Sequence, residues 1–327
     1  MEQNINQNQW KIAMLPRLQI DAVVSVFLLT HFGDEHFPGI KDADYVFWID
    51  IPRDKTVEQL KSEGYILLDI GGGIFDHHIK ATVSGQQTEK CMSQMIAEYL
   101  GVHKNPSLKK LLEYARRDDL EGRGTISKDP IDRAFGLSGL INNLNRSLPD
   151  NQDIVLKVIM HLIVAHYIEE KKRAEDFPKE YEEKLKNNKA ALFVIETARG
   201  PVKLVSIETD EIGIAGYLRA QRQIEIVVQK MSSGHVNIIT QQKNMLDLSE
   251  IAKFLRVAEA QENGTIDTLS EDQLTAPGRI AGVDEWYFDT RARTIQNGGI
   301  RPQWTKPTSL SLPAIVEMIK QASAVKL

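Results

Sequence analysis

Residues 65–78 read YILLDIGGGIFDHH. Tyr65–Ile70 is a short, nearly all-apolar run with an acid, Asp69, near its end; Gly71, Gly72 and Gly73 stop it, and Asp76, His77 and His78 follow. An apolar run of this length, closed by turn residues, reads as a strand buried on both faces. In an open α/β sheet, ligands bind outside the carboxyl ends of the strands. Asp69 and the Asp-His-His would both fall there. Glycines allow positive φ and a close backbone approach to a ligand. Carboxylates and imidazoles gathered at one edge suit a hard-to-borderline divalent cation. A His-His pair alone is ordinary surface sequence, and a strand-end Asp alone is an ordinary turn former. The compound of strand, acid, three glycines and Asp-His-His is far more specific.

Outward from this segment, Trp10–Leu15 and Tyr45–Ile51 read as further strands, and Asp21–Thr30 and Thr56–Glu63 as helices between them. That alternation predicts βαβ units and a mainly parallel sheet. Cys91–Leu100 and Leu108–Asp118 read as helices, the second with Leu108, Leu111, Leu112 and Ala115 on one face. Ile154–Ile168 is apolar almost all round, which predicts a buried helix. It runs into EEKKRAEDFPKEYEEKLK, a solvated stretch carrying Pro178 that reads as a domain junction. Beyond it, Ala191–Ile195, Val202–Ile207, Ile224–Gln229 and His235–Thr240 read as strands, and Leu248–Glu259 and Ser311–Ala322 as helices. At roughly 150 residues per domain, the 327 residues suggest two domains. The expected division is 1–168, a charged helical linker at 169–188, and 189–327.

Composition narrows the chemistry. The single cysteine, Cys91, rules out an intrachain disulfide framework and any multi-cysteine zinc site; it reads as a small buried residue. With 40 Lys+Arg against 45 Asp+Glu the net charge is −5, which opposes gripping a duplex over a broad face. No apolar run approaches the ~18 residues of a membrane span. MEQNINQNQWKIAML lacks the basic stretch and apolar core of a secretory signal. The expectation is a cytoplasmic protein without a membrane partner, with chemistry confined to Asp, Glu, His, Ser, Lys or Arg.

LLDIGGGIFDHH resembles the second and third motifs of the DHH phosphoesterase superfamily, and within it most resembles the MYG1-like branch. The resemblance has identifiable motifs over residues 10–125. It implies an α/β fold: a Rossmann-like DHH domain with a mainly parallel sheet, plus a smaller α+β C-terminal domain that closes over substrate. It also implies a divalent metal, Mn²⁺ or alternatively Mg²⁺. By the same resemblance Asp69 is the metal-bridging aspartate, His77 a ligand, and His78 a contact to the substrate phosphate. Asp76 would orient the ring of His77. Asp21, before Ala22, matches the end of the family's first motif and is an expected ligand. Leu15 and Gln19 stand where that motif carries its earlier ligands, so one ion is expected rather than two. Two ions about 3.5–4 Å apart clamp the attacking and leaving oxygens; with one, Arg17 is the candidate for the missing positive charge. The fourth-motif acid is Asp119, four residues after Ala115, or its neighbour Asp118.

Arg116 and Arg117, with Arg123, flank that acid and could take substrate phosphates. His235, in Ser232-Ser233-Gly234-His235, is the candidate substrate residue of the second half. Weaker candidates are a His31/His36 cluster and anion contacts from Arg219, Arg222, Arg256, Arg291 and Arg293. Trp286 and Tyr287 are candidates for base stacking. His161 and His166 read as interior histidines. The functional expectation is a metal-dependent phosphoesterase, a hydrolase of nuclease type. Its partner would be a nucleotide or a short single-stranded nucleic acid, and it is compatible with a homo-oligomer. The alternative is a catalytically weakened member serving as a nucleotide-binding or nucleic-acid-binding sensor or scaffold.

Overall fold

The computed structural model describes residues 9–78, 90–197, 200–298 and 304–326. The polar N-terminal residues 1–8, read above for a signal pattern, lie outside that set. Elements are numbered below in chain order among the described residues.

β1 (Lys11–Met14) is the centre of a three-stranded parallel sheet, with β2 (Asp44–Phe47) on one side and β3 (Tyr65–Leu68) on the other. Met14 pairs with both Phe47 and Leu68, so the three carboxyl ends finish level. The chain leaving β1 at Leu15 therefore lies beside the chain leaving β3 at Asp69. α1 (Ile20–Phe32) joins β1 to β2, and α2 (Val57–Ser62) joins β2 to β3. A capping box, Thr56 with Gln59, starts α2 by satisfying two otherwise orphaned N–H groups. α3 (Met92–Tyr99), α4 (Lys109–Glu121), α5 (Pro130–Phe135), α6 (Leu137–Ser147) and α7 (Gln152–Lys171) follow. α1, α3, α4 and α7 form one core with Ile12, Met14, Ile66 and Leu68 of the sheet. Ala13 and Leu67 point the other way, onto Leu60 of α2. Both faces of the sheet are covered, which is why β1 and β3 read as nearly continuous apolar runs.

The chain divides into two compact units, Met1–Ala174 and Glu175–Leu327. The break falls inside the stretch read as a junction, yet that stretch is not a free-standing linker. After a π-helical turn at Lys172–Asp176, α8 (Phe177–Lys186) buries Phe177 and Tyr181 in the second unit. Two aromatic residues four apart give a charged helix one apolar face.

The second unit is a mixed six-stranded sheet in the order β4-β5-β6-β7-β9-β8. Its strands are β4 (Ala190–Thr197), β5 (Gly200–Glu208), β6 (Ile226–Lys230), β7 (Val236–Thr240), β8 (Tyr287–Asp289) and β9 (Thr294–Gln296). Only β5 and β6 run parallel, joined by α9 (Ile214–Gln221). α8 and α9 cover one face; α10 (Ser249–Asn263) and α12 (Leu312–Lys326) cover the other, with α11 (Glu271–Thr275) alongside α10. The two units together thus hold a parallel sheet and a mixed sheet, an α/β architecture. No described helix is long and apolar enough to cross a membrane.

α7 buries Val155, Leu156, Ile159, Ile163 and Tyr167, but Ile154, Val158, Leu162 and Ile168 are exposed. The helix is apolar all round and packed on one side only. His161 and His166 lie on its exposed side, not in the interior. Trp286 is 0% exposed and donates Nε1–H to Glu259, so it cannot stack on a base. Arg256, also 0% exposed, donates to the carbonyls of Leu274, Ala276, Gly278 and Trp286. Burial pulls its pKa down to about 10, which leaves it charged at neutral pH. Arg256→Met would strand those carbonyls, at about 1–3 kcal/mol for a buried unsatisfied group. We expect a stability loss of at least about 3 kcal/mol, read as a lower urea midpoint with an unchanged slope.

Candidate metal centre

Asp69 leaves β3 in the left-handed region, with φ 53°, and Gly71 and Gly72 continue at φ 66° and 78°. At Gly71 a Cβ would strike the Ile51 side chain, so this turn requires glycine twice over. The loop then returns, Phe75 pairs with Leu68 in a parallel bridge, and the Phe75 ring packs against Tyr99. Burying Phe75 lifts the next three residues to the sheet edge.

Asp76 does not orient His77. Its Oδ2 accepts from Gly72 N–H and its Oδ1 from His78 N–H, so both oxygens clasp the loop and cap the turn that His77 opens. The orienting group is Asp69, whose Oδ1 accepts from His77 Nδ1–H at 2.9 Å. That bond holds the His77 pKa above its ordinary value, against burial. It also leaves Nε2 as the ring's lone pair. Nε2 faces Asp119 Oδ2 at 3.4 Å. Asp119 Oδ2 is itself buried and has no hydrogen-bond partner. Burial, then the nearby Asp21, push the Asp119 carboxyl up to about 6. His78 Nε2 lies 4.0 Å from Asp69 Oδ2, and its side chain is 65% exposed. Ligand atoms of Asp69, His77 and His78 all fall within 4.8 Å of one another.

Two acceptor atoms 3.4 Å apart, one on a buried oxygen without a hydrogen-bond partner, are stabilised by a proton or a cation between them. A divalent cation is one such charge, and the oxygen–imidazole donor set is of the kind such a cation takes.

Asp21 lines the same cleft and lies close enough to Asp69 and Asp119 to act on them electrostatically, but its oxygens are engaged elsewhere. It is 2% exposed, and its oxygens accept from the backbone N–H groups of Met92 (2.9 Å) and Ser93 (3.1 Å). It closes the N-terminus of α3, where four N–H groups lack helical partners. Burial raises its pKa. Asp118 lines the cleft as well, with its Oδ1 accepting from Ser138 Oγ at 2.7 Å. Cys91 is wholly buried beside Asp21, with its thiol pKa pushed up to about 12 by burial, and stays unreactive.

A cleft of about 770 Å³ opens over the group, lined among others by Leu15, Arg17, Gln19, Asp69, His78 and Asp119. The β1–α1 loop that forms one wall is held from α6 and α7. Gln152 Oε1 accepts from the N–H groups of Arg17 and Leu18, and Asn145 donates to Leu18 O. Arg17, at φ 64°, is exposed into this cleft. Arg133 and Ser138 also line it, and neither shows any pattern in the sequence that would have marked it. On the opposite wall Gly124 is wedged against Ser138 and Asp118, and a Cβ there would overlap the oxygens of both. Gly124→Ala is expected to cost about 1–3 kcal/mol by overpacking, seen as a lower melting temperature, with cation affinity changed less than by any ligand substitution.

Arg116 is engaged by Glu113 and Glu121, away from the cleft. His235, in the second unit, is 5% exposed; Nε2–H donates to Thr305 O and Nδ1 accepts from Ser233 Oγ–H. Both nitrogens are used to pin a loop, so His235 has none to offer a substrate. Of the arginines considered as anion contacts, Arg219 and Arg293 donate to backbone carbonyls, and Arg222 reaches Tyr217 and Glu182. His31 stacks on Phe27 and His36 packs near Tyr99, with no shared ligand set between them.

No family model and no curated protein matches this chain. Among solved structures it is similar to one titled "Crystal structure of an uncharacterized protein from Helicobacter pylori G27". The identity is 12%, with 97% of this chain and 99% of that chain covered, and the TM-score is 0.25. So slight a likeness carries no argument about fold or function.

Proposed function

We propose that Met1–Ala174 forms a metal-dependent phosphoesterase, hydrolysing a phosphodiester of a nucleotide or a short single-stranded nucleic acid. The observation that supports it is the orphaned Asp119 Oδ2 facing His77 Nε2 at the carboxyl edge of a parallel sheet. Asp69, His77, His78 and Asp119 would hold one divalent cation, Mn²⁺ by the motif resemblance. Such a cation supplies Lewis acidity to a phosphoryl oxygen and acidity to bound water. Arg17 and Arg133 in the cleft wall place fixed positive charge where phosphate would enter. The exposed His78 ring offers a further contact for a phosphate oxygen. Asp69 keeps His77 in the tautomer that leaves Nε2 free to ligate.

The test is direct. The purified chain with Mn²⁺ is offered labelled short RNA and DNA oligomers, cyclic dinucleotides and pyrophosphate. We expect hydrolysis of at least one phosphodiester, abolished by chelation. Turnover no greater than that of His77→Ala on every substrate overturns the reading. A second reading, a sensor or scaffold with weakened catalysis, draws on Asp21 being occupied by α3 and on Leu15 and Gln19 lining the cleft. Elemental analysis separates the two: one ion per chain with turnover favours the enzyme, and no ion favours the scaffold.

A further inference from the structure

β4 is an outer strand of the second unit's sheet, paired with β5 on one side only among the described residues. Its eight residues, AALFVIET, follow β5 without a bulge and hold no proline and a single charge, Glu196. Glu208 N–H donates to Lys189 O, one step beyond the pairing of Ala190 with Ile207. Residues of an antiparallel strand alternate between bonding one neighbour and facing the other way. The odd-numbered residues of β4 therefore bond to β5, and Ala190, Leu192, Val194 and Glu196 turn their N–H and C=O groups outward. On the face these four share, Ala190 lies in the core that α8 closes, but Leu192 and Val194 are 51% and 63% exposed. Bare edges are ordinarily blunted by a lysine, a proline or a bulge, and β4 has none of these. The opposite edge of the sheet is different. β8 is three residues long, and Gly278 closes it by exchanging two hydrogen bonds with Phe288.

We infer that β4 pairs antiparallel with β4 of a second copy of this chain, joining two six-stranded sheets edge to edge. A row of outward backbone groups is completed by another strand. The pattern of β4 selects a copy of itself. With Phe193 opposite Phe193 of the second copy, every outward residue finds a partner: Leu192 meets Val194, and Ala190 meets Glu196. Sliding one strand by two residues leaves one outward residue of each copy unpaired. The full register sets Leu192 and Val194 of both copies side by side on one face, and the two half-buried Phe193 rings on the other. Charge agrees with it. Glu196 comes to the end of the second strand where Lys186 and Lys189 lie, and no like charges oppose each other along the pair. The pairing also closes on itself. A two-fold contact uses the same edge of both copies, and the edges left over are the β8 edges that Gly278 already covers.

Sedimentation equilibrium of the full chain is the test, and it does not depend on the metal centre. The parent is expected at twice its mass of 36.9 kDa at micromolar concentration. Val194→Pro removes an outward N–H and no bond to β5, at an edge position of the kind that accepts proline. Leu192→Lys puts a charge on an exposed edge residue, so it is expected to fold whatever happens at Val194. Each variant should raise the dissociation constant at least about tenfold, with the far-ultraviolet circular dichroism unchanged. The register has its own readout. Amide hydrogen exchange at Leu192 and Val194 should slow as the parent is concentrated, and should stay fast in Leu192→Lys at the same concentrations. A parent that remains monomeric up to millimolar concentration overturns the inference. So does a dimer that Leu192→Lys does not weaken, or one whose exchange at Leu192 and Val194 is independent of concentration.

Discussion

His77→Ala should abolish divalent-cation binding and, with it, hydrolysis. The ring gives Nδ1–H to Asp69 and turns Nε2 toward the orphaned Asp119 oxygen, so its removal takes away the atom around which the group is arranged. Changing a residue that merely supports a metal ligand costs about 10–100-fold in affinity or activity. Removing the ligand should cost at least about 100-fold. Asp69→Ala should do the same, since it deletes a donor and frees the His77 ring. Mn²⁺ calorimetry on the two variants reads this, and affinity within a few-fold of the parent would refute the site. The pH dependence has a definite sign. A cation displaces protons from its ligands. Asp119 is pushed up to about 6, and His77 is held above its ordinary value. Affinity should therefore fall as pH is lowered through about 6. At neutral pH binding should release protons, seen as an apparent enthalpy that varies with the buffer's ionisation heat.

Asp21→Ala separates two roles that share one residue. As a ligand, Asp21 would be needed for the cation and dispensable for folding. As the structure has it, the carboxylate closes α3 through Met92 and Ser93, and its loss strands two buried N–H groups. Each costs about 1–3 kcal/mol. The carboxylate itself is desolvated, as its raised pKa shows, and losing that penalty offsets part of the cost. A net loss of about 2–3 kcal/mol is expected. Urea denaturation should show it, while the folded variant still binds one Mn²⁺ per chain. A variant of parental stability that no longer binds Mn²⁺ would restore Asp21 to the metal. Asp21→Asn keeps one acceptor oxygen and should fall between the two.

These cases show where residue patterns are legible. β1 and β3 can be read because both faces of the sheet are covered, which forces apolar runs with abrupt stops. Asp69, Asp76, His77 and His78 can be read together because fourteen consecutive residues carry a strand, a turn and the donors. Asp21 is read from the motif as a ligand, and its closing of α3 is illegible because its partners there are backbone groups 71 and 72 residues away that carry no side-chain signature. That Asp69 rather than Asp76 orients His77 follows from which oxygen reaches which N–H, a matter of ångströms. Periodicity identified α7 as a helix but not which of its apolar faces finds a partner. Trp286 and Arg256 looked like surface recognition groups by residue type, and burial made them internal supports.

The tether on the β1–α1 loop has a consequence for synthesis. Gln152 reaches Arg17 and Leu18 across 135 and 134 positions, and Asn145 reaches Leu18 across 127. A ribosome that has released both strands and the Asp-His-His has still made nothing that can fasten one wall of the cleft. Closing so long a loop is entropically late. The nascent chain therefore carries Asp69, His77 and His78 well before it acquires the wall that shapes the cleft over them.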